Sequence, residues 1–249
     1  MTHVPSTGPG ETGSRLTGVL LILSVVGFFL PFVILLFGLG FLDQSASVAL
    51  SIFHQQSATV LLSFYAYVWG GLLLSLAVLL LYHVLQGRSG QSLVLRIATV
   101  CGVLGGMMQA VGDIRWPFLL PSLDAAYFDP HASQATRAAI EVVFQAVEQT
   151  GGVGLSEHLY FLLVGAWSLL LGWSIVRSSS FDRWIGWVGI VGGCFFFIGS
   201  IETFNLPGFT DVLKPILFLA HILWGVMLLA LAVKLFSYRM PASDKTALA

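Results

Sequence analysis

Apolar residues dominate this chain in long unbroken runs, near 16–42, 58–85, 91–114, 155–176, 183–204 and 212–237. Each can cross about 30 Å of hydrocarbon, which takes roughly 20 helical residues. Backbone N–H and C=O groups find no water in lipid, so a crossing segment must close its own hydrogen bonds. The runs are too long and unbroken for barrel strands. The pattern therefore predicts an all-α bundle of six transmembrane helices over 15–240, between a disordered tail (1–14) and a C-terminal tail (241–249). Pro31 lies inside the first run and predicts a kink.

The first run does not read as a cleaved signal. It holds about 25 apolar residues, against roughly 7–15 in a signal core, and only Arg15 precedes it. Ser45, Ala46 and Ser47 leave cleavage open. The halves of the chain share no motif, so the repeat signature of many transporters is missing.

One large loop, roughly 115–154, separates the third run from the fourth. Pro117 and Pro121 are expected to end helix three and force extended chain. Ala139, Ile140, Val143, Phe144 and Val147 then recur at helical spacing. Gln134, Arg137, Glu141, Gln145 and Glu148 fill the other face, with Arg137 and Glu141 spaced to pair. Ser133 is expected to cap this amphipathic helix and Gly151-Gly152 to stop it. It can lie on lipid headgroups or act as a lid across the bundle.

Composition fits a lipid solvent. The 249 residues are 57% hydrophobic and 9% charged, with mean hydropathy +0.90; soluble domains carry about 25% charged residues. The net charge of -1 gives no field to attract nucleic acid. Cys101 and Cys194 sit mid-run and read as buried free thiols, not a disulfide framework.

Charge placement suggests an orientation. With the N-terminus inside, the inner set is Arg15, Arg88, Arg96, Arg177, Arg183, Lys234, Arg239 and Lys245. Only Arg115, Arg137 and Lys214 lie outside. The asymmetry predicts both termini in the cytoplasm. Trp173, Trp184 and Trp187 would form the inner aromatic belt and Trp116 the outer one. Of the acids, only Glu11, Asp182 and Asp244 fall inside; Asp43, Asp113, Asp124, Asp129, Glu141, Glu148, Glu157, Glu202 and Asp211 fall outside.

Ionisable residues at membrane depth are costly and are functional candidates by default. Asp113 ends helix three with Gln109 one turn below it. Glu157 and His158 open helix four, Glu202 closes helix five, and His221 lies two turns into helix six. In one bundle, Asp113, Glu157, His158, Glu202 and His221 could line a single outward-facing pocket. Each also has a bland reading. Asp113 and Arg115 can pair beside Trp116, Glu157 can answer the helix dipole, and the histidines can be satisfied structurally. Helical angle places Glu202 opposite Gly193, which counts against convergence.

A metal site would draw on His158, His221 and Glu202 with Glu157 as base, but no HExxH spacing is present. Haem would want facing histidines at matched depth; His54, His158 and His221 are outer while His83 stands alone at the inner end. No Gly-x-Ser-x-Gly elbow, phosphate loop or basic patch occurs. The sequence names no cofactor. The glycines of Gly102/Gly105/Gly106 and Gly186/Gly189/Gly193, with Ser63, Tyr67, Gly71 and Ser75, form small-residue stripes for helix packing.

Several runs carry a family resemblance. They are Arg115-Trp116-Pro117-Phe118-Leu119-Leu120-Pro121, Ala135-Thr136-Arg137, Val142-Val143-Phe144-Gln145-Ala146, Glu157-His158-Leu159 and Phe181-Asp182-Arg183-Trp184-Ile185-Gly186-Trp187. In these the chain resembles the bacterial family called "domain of unknown function 4386". The resemblance covers the second half best; helices one and two match only in hydropathy. Ser156 stands where that family often shows Gly before the Glu-His pair. The resemblance implies a bacterial multipass membrane protein, placed in the cytoplasmic (inner) membrane, and supplies no catalytic residue.

Three functions compete. The first is a pocket that binds a small ligand, lipid or ion, with sensing or transport as the consequence. The second is a membrane-embedded metal-dependent hydrolase. The third is a structural membrane subunit, which predicts dispersed polar residues and a glycine face open to lipid. The lipid bilayer is the one partner the sequence names, and oligomeric state is left open.

Overall fold

Six helical passes stand side by side and close into a ring. The computed structural model describes residues 9–42, 44–89, 92–178, 181–204, 206 and 208–237. Asp43, Arg239, Asp244, Lys245 and the 241–249 tail lie outside the described residues, as do the side chains of Glu11 and Arg88.

The elements are α1 (Pro9–Val33), α2 (Ala46–Ser89), α3 (Leu93–Asp113), α4 (Arg115–Tyr127), α5 (Gln134–Val147), α6 (Tyr160–Arg177), α7 (Arg183–Gly199) and α8 (Thr210–Phe236). Wider π-helical turns follow α1 at Ile34–Gly38 and join α5 to α6 at Glu148–Leu159; a tighter 3-10 turn follows α7 at Ser200–Phe204. No strand occurs among the described residues. Six helical stretches are long and apolar enough to cross a membrane. The chain thus has the expected all-α architecture of six candidate spans.

The ring runs α1, α2, α3, α6, α7, α8 and back to α1. Ser14, early in α1, donates its hydroxyl to the Leu235 carbonyl late in α8 at 3.0 Å. Both ends of the described chain therefore lie at one end of the bundle, the terminal end. The α4–α5 connection lies at the other, distal end. α1 begins at Pro9, inside the stretch expected as a tail.

Small residues let the passes approach closely. A methyl on Gly71 of α2 would meet the Gly106 carbonyl of α3, and one on Gly186 of α7 would lie 2.6 Å from the Gly172 carbonyl of α6. The expected stripes on α3 and α7 are thus covered by neighbouring helices. Inside the ring, Leu74, Leu81, Trp167, Leu171, Met227, Leu228 and Leu231 are buried in one core. Outward, Leu62, Trp69, Leu76 and Val233 are exposed, as are Trp173, Trp184 and Trp187. That apolar exterior suits a lipid bilayer. Cys101 is part-buried and Cys194 exposed; both are free thiols, so burial of Cys194 is not what the fold gives.

Three local expectations are corrected at the distal end. First, Pro117 and Pro121 do not force extended chain; both sit within α4. Pro117 falls in the first turn, where N–H groups lack helical partners anyway. Trp116, Leu120 and Leu123, spaced for one helix face, are buried together. Second, Gly151-Gly152 does not stop the amphipathic helix, which widens into π geometry and runs on into α6. Among the described residues the left-handed glycines are Gly40, just past the π turn that ends the first pass, and Gly208, just before α8. Third, Trp116 is no belt residue. It is 2% exposed, its ring 4.7 Å from that of Phe144.

Other signals translate directly. The Ser133 hydroxyl caps α5 by accepting from the Thr136 N–H at 3.1 Å. Pro31 lies in α1 just before the π turn at Ile34. The second apolar run, expected from 58, follows a break at Gln56 (φ -131°, ψ 34°), and helix already begins at Ala46.

Candidate functional site: a two-tier cavity at the distal end

A cavity of about 810 Å³ opens between the distal ends of the ring helices. Exposed Gln44, Gln149 and Lys214 stand at its rim, and buried Gln109 and Tyr160 in its wall. Of the five residues singled out in the sequence, Asp113, Glu157, Glu202 and His221 line this one cavity.

The upper tier is charged. Arg115, the first residue of α4, gives its Nη2 to Glu148 Oε2 at 2.6 Å, and its Nη1 lies 3.8 Å from Asp113 Oδ1. The same guanidinium donates to the Gly112 carbonyl and packs 4.7 Å over the Trp116 ring. Glycine makes this possible. A methyl on Gly151 would lie 2.6 Å from Arg115 Cδ, and one on Gly112 would lie 2.7 Å from the Gly151 carbonyl. Those two glycines let the α4 arginine lie against the π segment. Tyr67 and Tyr160 line the same cavity as Asp113. Glu157, Glu202 and Lys214 complete this tier.

The lower tier is aromatic. The Phe28 ring stacks 5.0 Å from His221, while Phe196 and Phe161 meet His221 edge-on at 4.8 and 5.4 Å. His221 Nδ1 lies 2.8 Å from the Leu217 carbonyl. A carbonyl only accepts, so Nδ1 carries the proton and, in the neutral ring, Nε2 is left as an acceptor. Tyr67 stands edge-on to Phe28 at 5.6 Å.

Two side chains in this wall lack what burial normally demands. Gln109 is 2% exposed and Tyr160 1% exposed, yet neither Gln109 Nε2 nor the Tyr160 hydroxyl has a hydrogen-bond partner. Buried polar groups are almost always paired, because an unmade hydrogen bond costs about 1–3 kcal/mol. Both residues line the cavity with other atoms, while these two atoms are enclosed in the wall, as Ser168 Oγ and Trp224 Nε1 are enclosed in the core.

His158 is placed differently. It does not line the cavity. Its Nδ1 lies 3.2 Å from the Ser200 carbonyl and 2.9 Å from Thr203 Oγ1, and its ring sits edge-on to Phe204. Successive residues of a helical turn point in different directions about its axis, so Glu157 faces the cavity while its neighbour faces the 3-10 turn. His158 thereby holds the turn that carries Glu202. Glu202 reaches the cavity although a uniform helix would set it opposite Gly193. The reason is that α7 packs against both α6 and α8, so the face opposite Gly193 is also turned to the bundle.

The metal set does not assemble. No group of three His, Cys, Asp or Glu side chains that could hold a metal ion occurs among the described residues. His158 is turned away from the cavity that His221 and Glu202 share. His54, weighed for haem, pairs instead with Asp124 at 3.0 Å on the exposed distal surface.

Sequence reasoning missed Arg115, Glu148, Tyr67 and Tyr160 as wall residues. Gln109 and Asp113 were signalled by their four-residue spacing. Glu148 was visible only as one polar position of an amphipathic helix. The tyrosines carried no signal that separates a cavity wall from a core.

Residues 16–232 match the model of a family described as "Domain of unknown function (DUF4386)". The match takes in the first two passes, where the sequence resemblance rested on hydropathy alone. No curated protein and no solved structure matches the chain.

Proposed function

Because the chain belongs to the DUF4386 family, whose description assigns no activity, we propose its function from its own geometry: it is a multipass membrane protein that binds a small ligand in the distal cavity, with sensing or transport as the consequence. The carrying observation is that Asp113, Glu157, Glu202 and His221, from four different elements, line one cavity whose rim is exposed. A bundle built only for packing would not gather four ionisable side chains on one cavity.

Depth separates binding from a through-path. The lining reaches Gln109 on α3, Phe161 on α6 and His221 on α8. Below it Leu74, Leu81, Leu171 and Leu231 are buried in the apolar core, and the lining does not reach Arg177. The arrangement supports a site open at one end, which is also one state of an alternating-access transporter.

The two competing readings lose support. A metal-dependent hydrolase asked for His158, His221 and Glu202 together, and these are not grouped. A structural subunit asked for scattered polar residues and bare glycine faces. Here four of the five candidate residues share one cavity, and the α3 and α7 glycines are covered.

The Lys and Arg distribution supports an orientation with both termini in the cytoplasm and the cavity facing outward. The family resemblance adds the bacterial inner membrane as the location.

Cysteine labelling tests this reading. In a background carrying Cys101→Ser and Cys194→Ser, Ser156→Cys places a thiol in the cavity wall. A membrane-impermeant thiol reagent added to intact cells is expected to label it. Absence of labelling from outside, with labelling in opened membranes, would reverse the orientation. Absence from both sides would remove the cavity.

A further inference from the structure

Resting on that reading, we infer that the ligand is an amphiphile of the bilayer, whose apolar tail enters the cavity sideways through the seam where the end of α1 faces the start of α8. The first observation is the course of that seam. In the terminal half the two helices approach to the backbone. A methyl on Gly18 would lie 3.2 Å from the Ala232 carbonyl, and the Ser14 hydroxyl donates to the Leu235 carbonyl. Midway, the Phe29 ring lies against α8, 2.8 Å from where a methyl on Gly225 would stand. Nearer the distal end the contact is between side chains, the Phe32 and Phe218 rings with centroids 6.5 Å apart. The seam therefore changes from backbone contact to ring contact as it reaches the cavity.

The second observation is what this seam joins. Phe32 and Phe218 both line the cavity, and Phe218 is 50% exposed. Beside them Leu30, Val33, Leu219 and Ile222 are exposed on the same two passes. The cavity lining is thus continuous with an apolar outer face that suits lipid. Pro31 and Pro215 each remove one i→i−4 hydrogen bond from the helices that form the seam. The first pass also winds into π geometry at Ile34, and such turns are frequent at functional sites.

The third observation is the depth of the apolar wall. Phe28 meets the rings of Tyr67, Tyr160, His221 and Trp224 inside the bundle, so its part-exposed ring faces the cavity it lines. From Leu36 down to Phe28, and from Lys214 down to His221, the lining runs roughly 10–12 Å along the helices. That is most of one leaflet's hydrocarbon, about 15 Å. A tail lying along this wall meets rings and aliphatic side chains, while its polar head stays at the rim with Gln44, Gln149 and Lys214. A wholly polar solute would leave Phe28 and Phe32 uncovered. A tail drawn in through the aqueous rim would first expose its methylenes to water, whereas through the seam it stays in hydrocarbon throughout.

The probe is a lysophosphatidylcholine with a diazirine in the middle of its acyl tail, held at low mole fraction in phosphatidylcholine nanodiscs that carry the protein. After illumination, adducts are mapped by mass spectrometry. Leu219 and Ile222 face outward and are expected to carry adducts from the surrounding bilayer, which shows that the probe was delivered. Adducts at Phe28, inside the bundle, are expected as well. In the background lacking both cysteines, Phe32→Cys with Phe218→Cys is then bridged across the seam by a short bis-methanethiosulfonate. Bridging is expected to remove most adducts at Phe28 and to spare those at Leu219 and Ile222; reducing the bridge should restore the loss. The wild-type map stands even if the double variant fails to fold. Adducts on the outer face alone would overturn the ligand class, and adducts at Phe28 that survive bridging would overturn the route. Ser156→Cys labelling from outside decides separately whether the cavity itself stands.

Discussion

Arg115 and Glu148 are 33 residues apart in the chain, and their side chains meet at 2.6 Å across the distal end of the bundle. The contact ties the start of α4 to the start of the π segment. Everything that closes the cavity on that side hangs on this tie, because α4 carries Trp116 and the π segment carries Ser156 and Glu157. Arg115 is mostly covered and Glu148 about one-third exposed, so the pair lies between a surface and a buried bridge. Arg115→Ala is expected to cost about 1–2 kcal/mol, seen as a lower thermal midpoint in detergent. Arg115→Lys should recover only part of this, since an ammonium cannot contact Glu148, Asp113 and the Gly112 carbonyl with one planar fork. An unchanged midpoint for Arg115→Ala would remove the tie from the account.

Helix approach gives a second expectation. A side chain at Gly106 would run into the Gly71 carbonyl and Ser75 Oγ. Gly106→Val is expected to destabilise the bundle by about 1–3 kcal/mol or prevent its assembly. Gly13→Ala is the control. Nothing lies within 4 Å of a methyl there, and alanine favours helix, so stability should hold or rise slightly. Equal losses at both positions would mean that the close α2–α3 contact is not what matters.

The terminal end offers a pH test outside the membrane spans. Asp182 precedes α7, and its carboxylate accepts from Lys234 Nζ at 2.7 Å. That hydrogen bond, with the lysine charge and Trp184, holds the Asp182 carboxyl below its ordinary value. The contribution is therefore fully present above about pH 4, the ordinary aspartate range. It fades as pH falls through the lower folded value. Wild type should exceed Asp182→Asn in thermal midpoint at neutral pH by a small, salt-sensitive margin. The two should converge in acid. A margin that grows on acidification would have the wrong sign.

His158 is expected to act on the cavity without touching its contents. His158→Ala frees the Ser200–Phe204 turn and should move the outside labelling rate of Ser156→Cys away from its wild-type value. His158→Asn, which can still donate to the Ser200 carbonyl, should recover most of it. If Asn fails as Ala does, the hydrogen bond is not the means of positioning.

The spans and their helical character were legible because lipid allows few alternatives to a 20-residue apolar run. The candidates Asp113, Glu157, Glu202 and His221 were legible for the same reason, since charge or imidazole at depth stands out. What stayed hidden was local geometry. Pro117 and Gly151 read as breakers, but tertiary burial of Trp116 and the fit of Arg115 over glycine backbone kept both segments helical. The angle that counted against Glu202 lost its force because α7 packs against both α6 and α8, so the face opposite Gly193 is also turned to the bundle. Of the partners of Arg115, Asp113 and Trp116 were legible from adjacency, but Glu148 was not, since a contact spanning 33 residues has no local signature.

Access to the cavity wall tests the central claim most directly. Glu157→Cys in the cysteine-free background puts a thiol at a part-exposed position of the cavity lining. Its reaction with a small cationic methanethiosulfonate and its anionic counterpart can be followed from outside intact cells. The account predicts labelling from outside. A thiol that neither reagent reaches in folded protein would contradict the cavity.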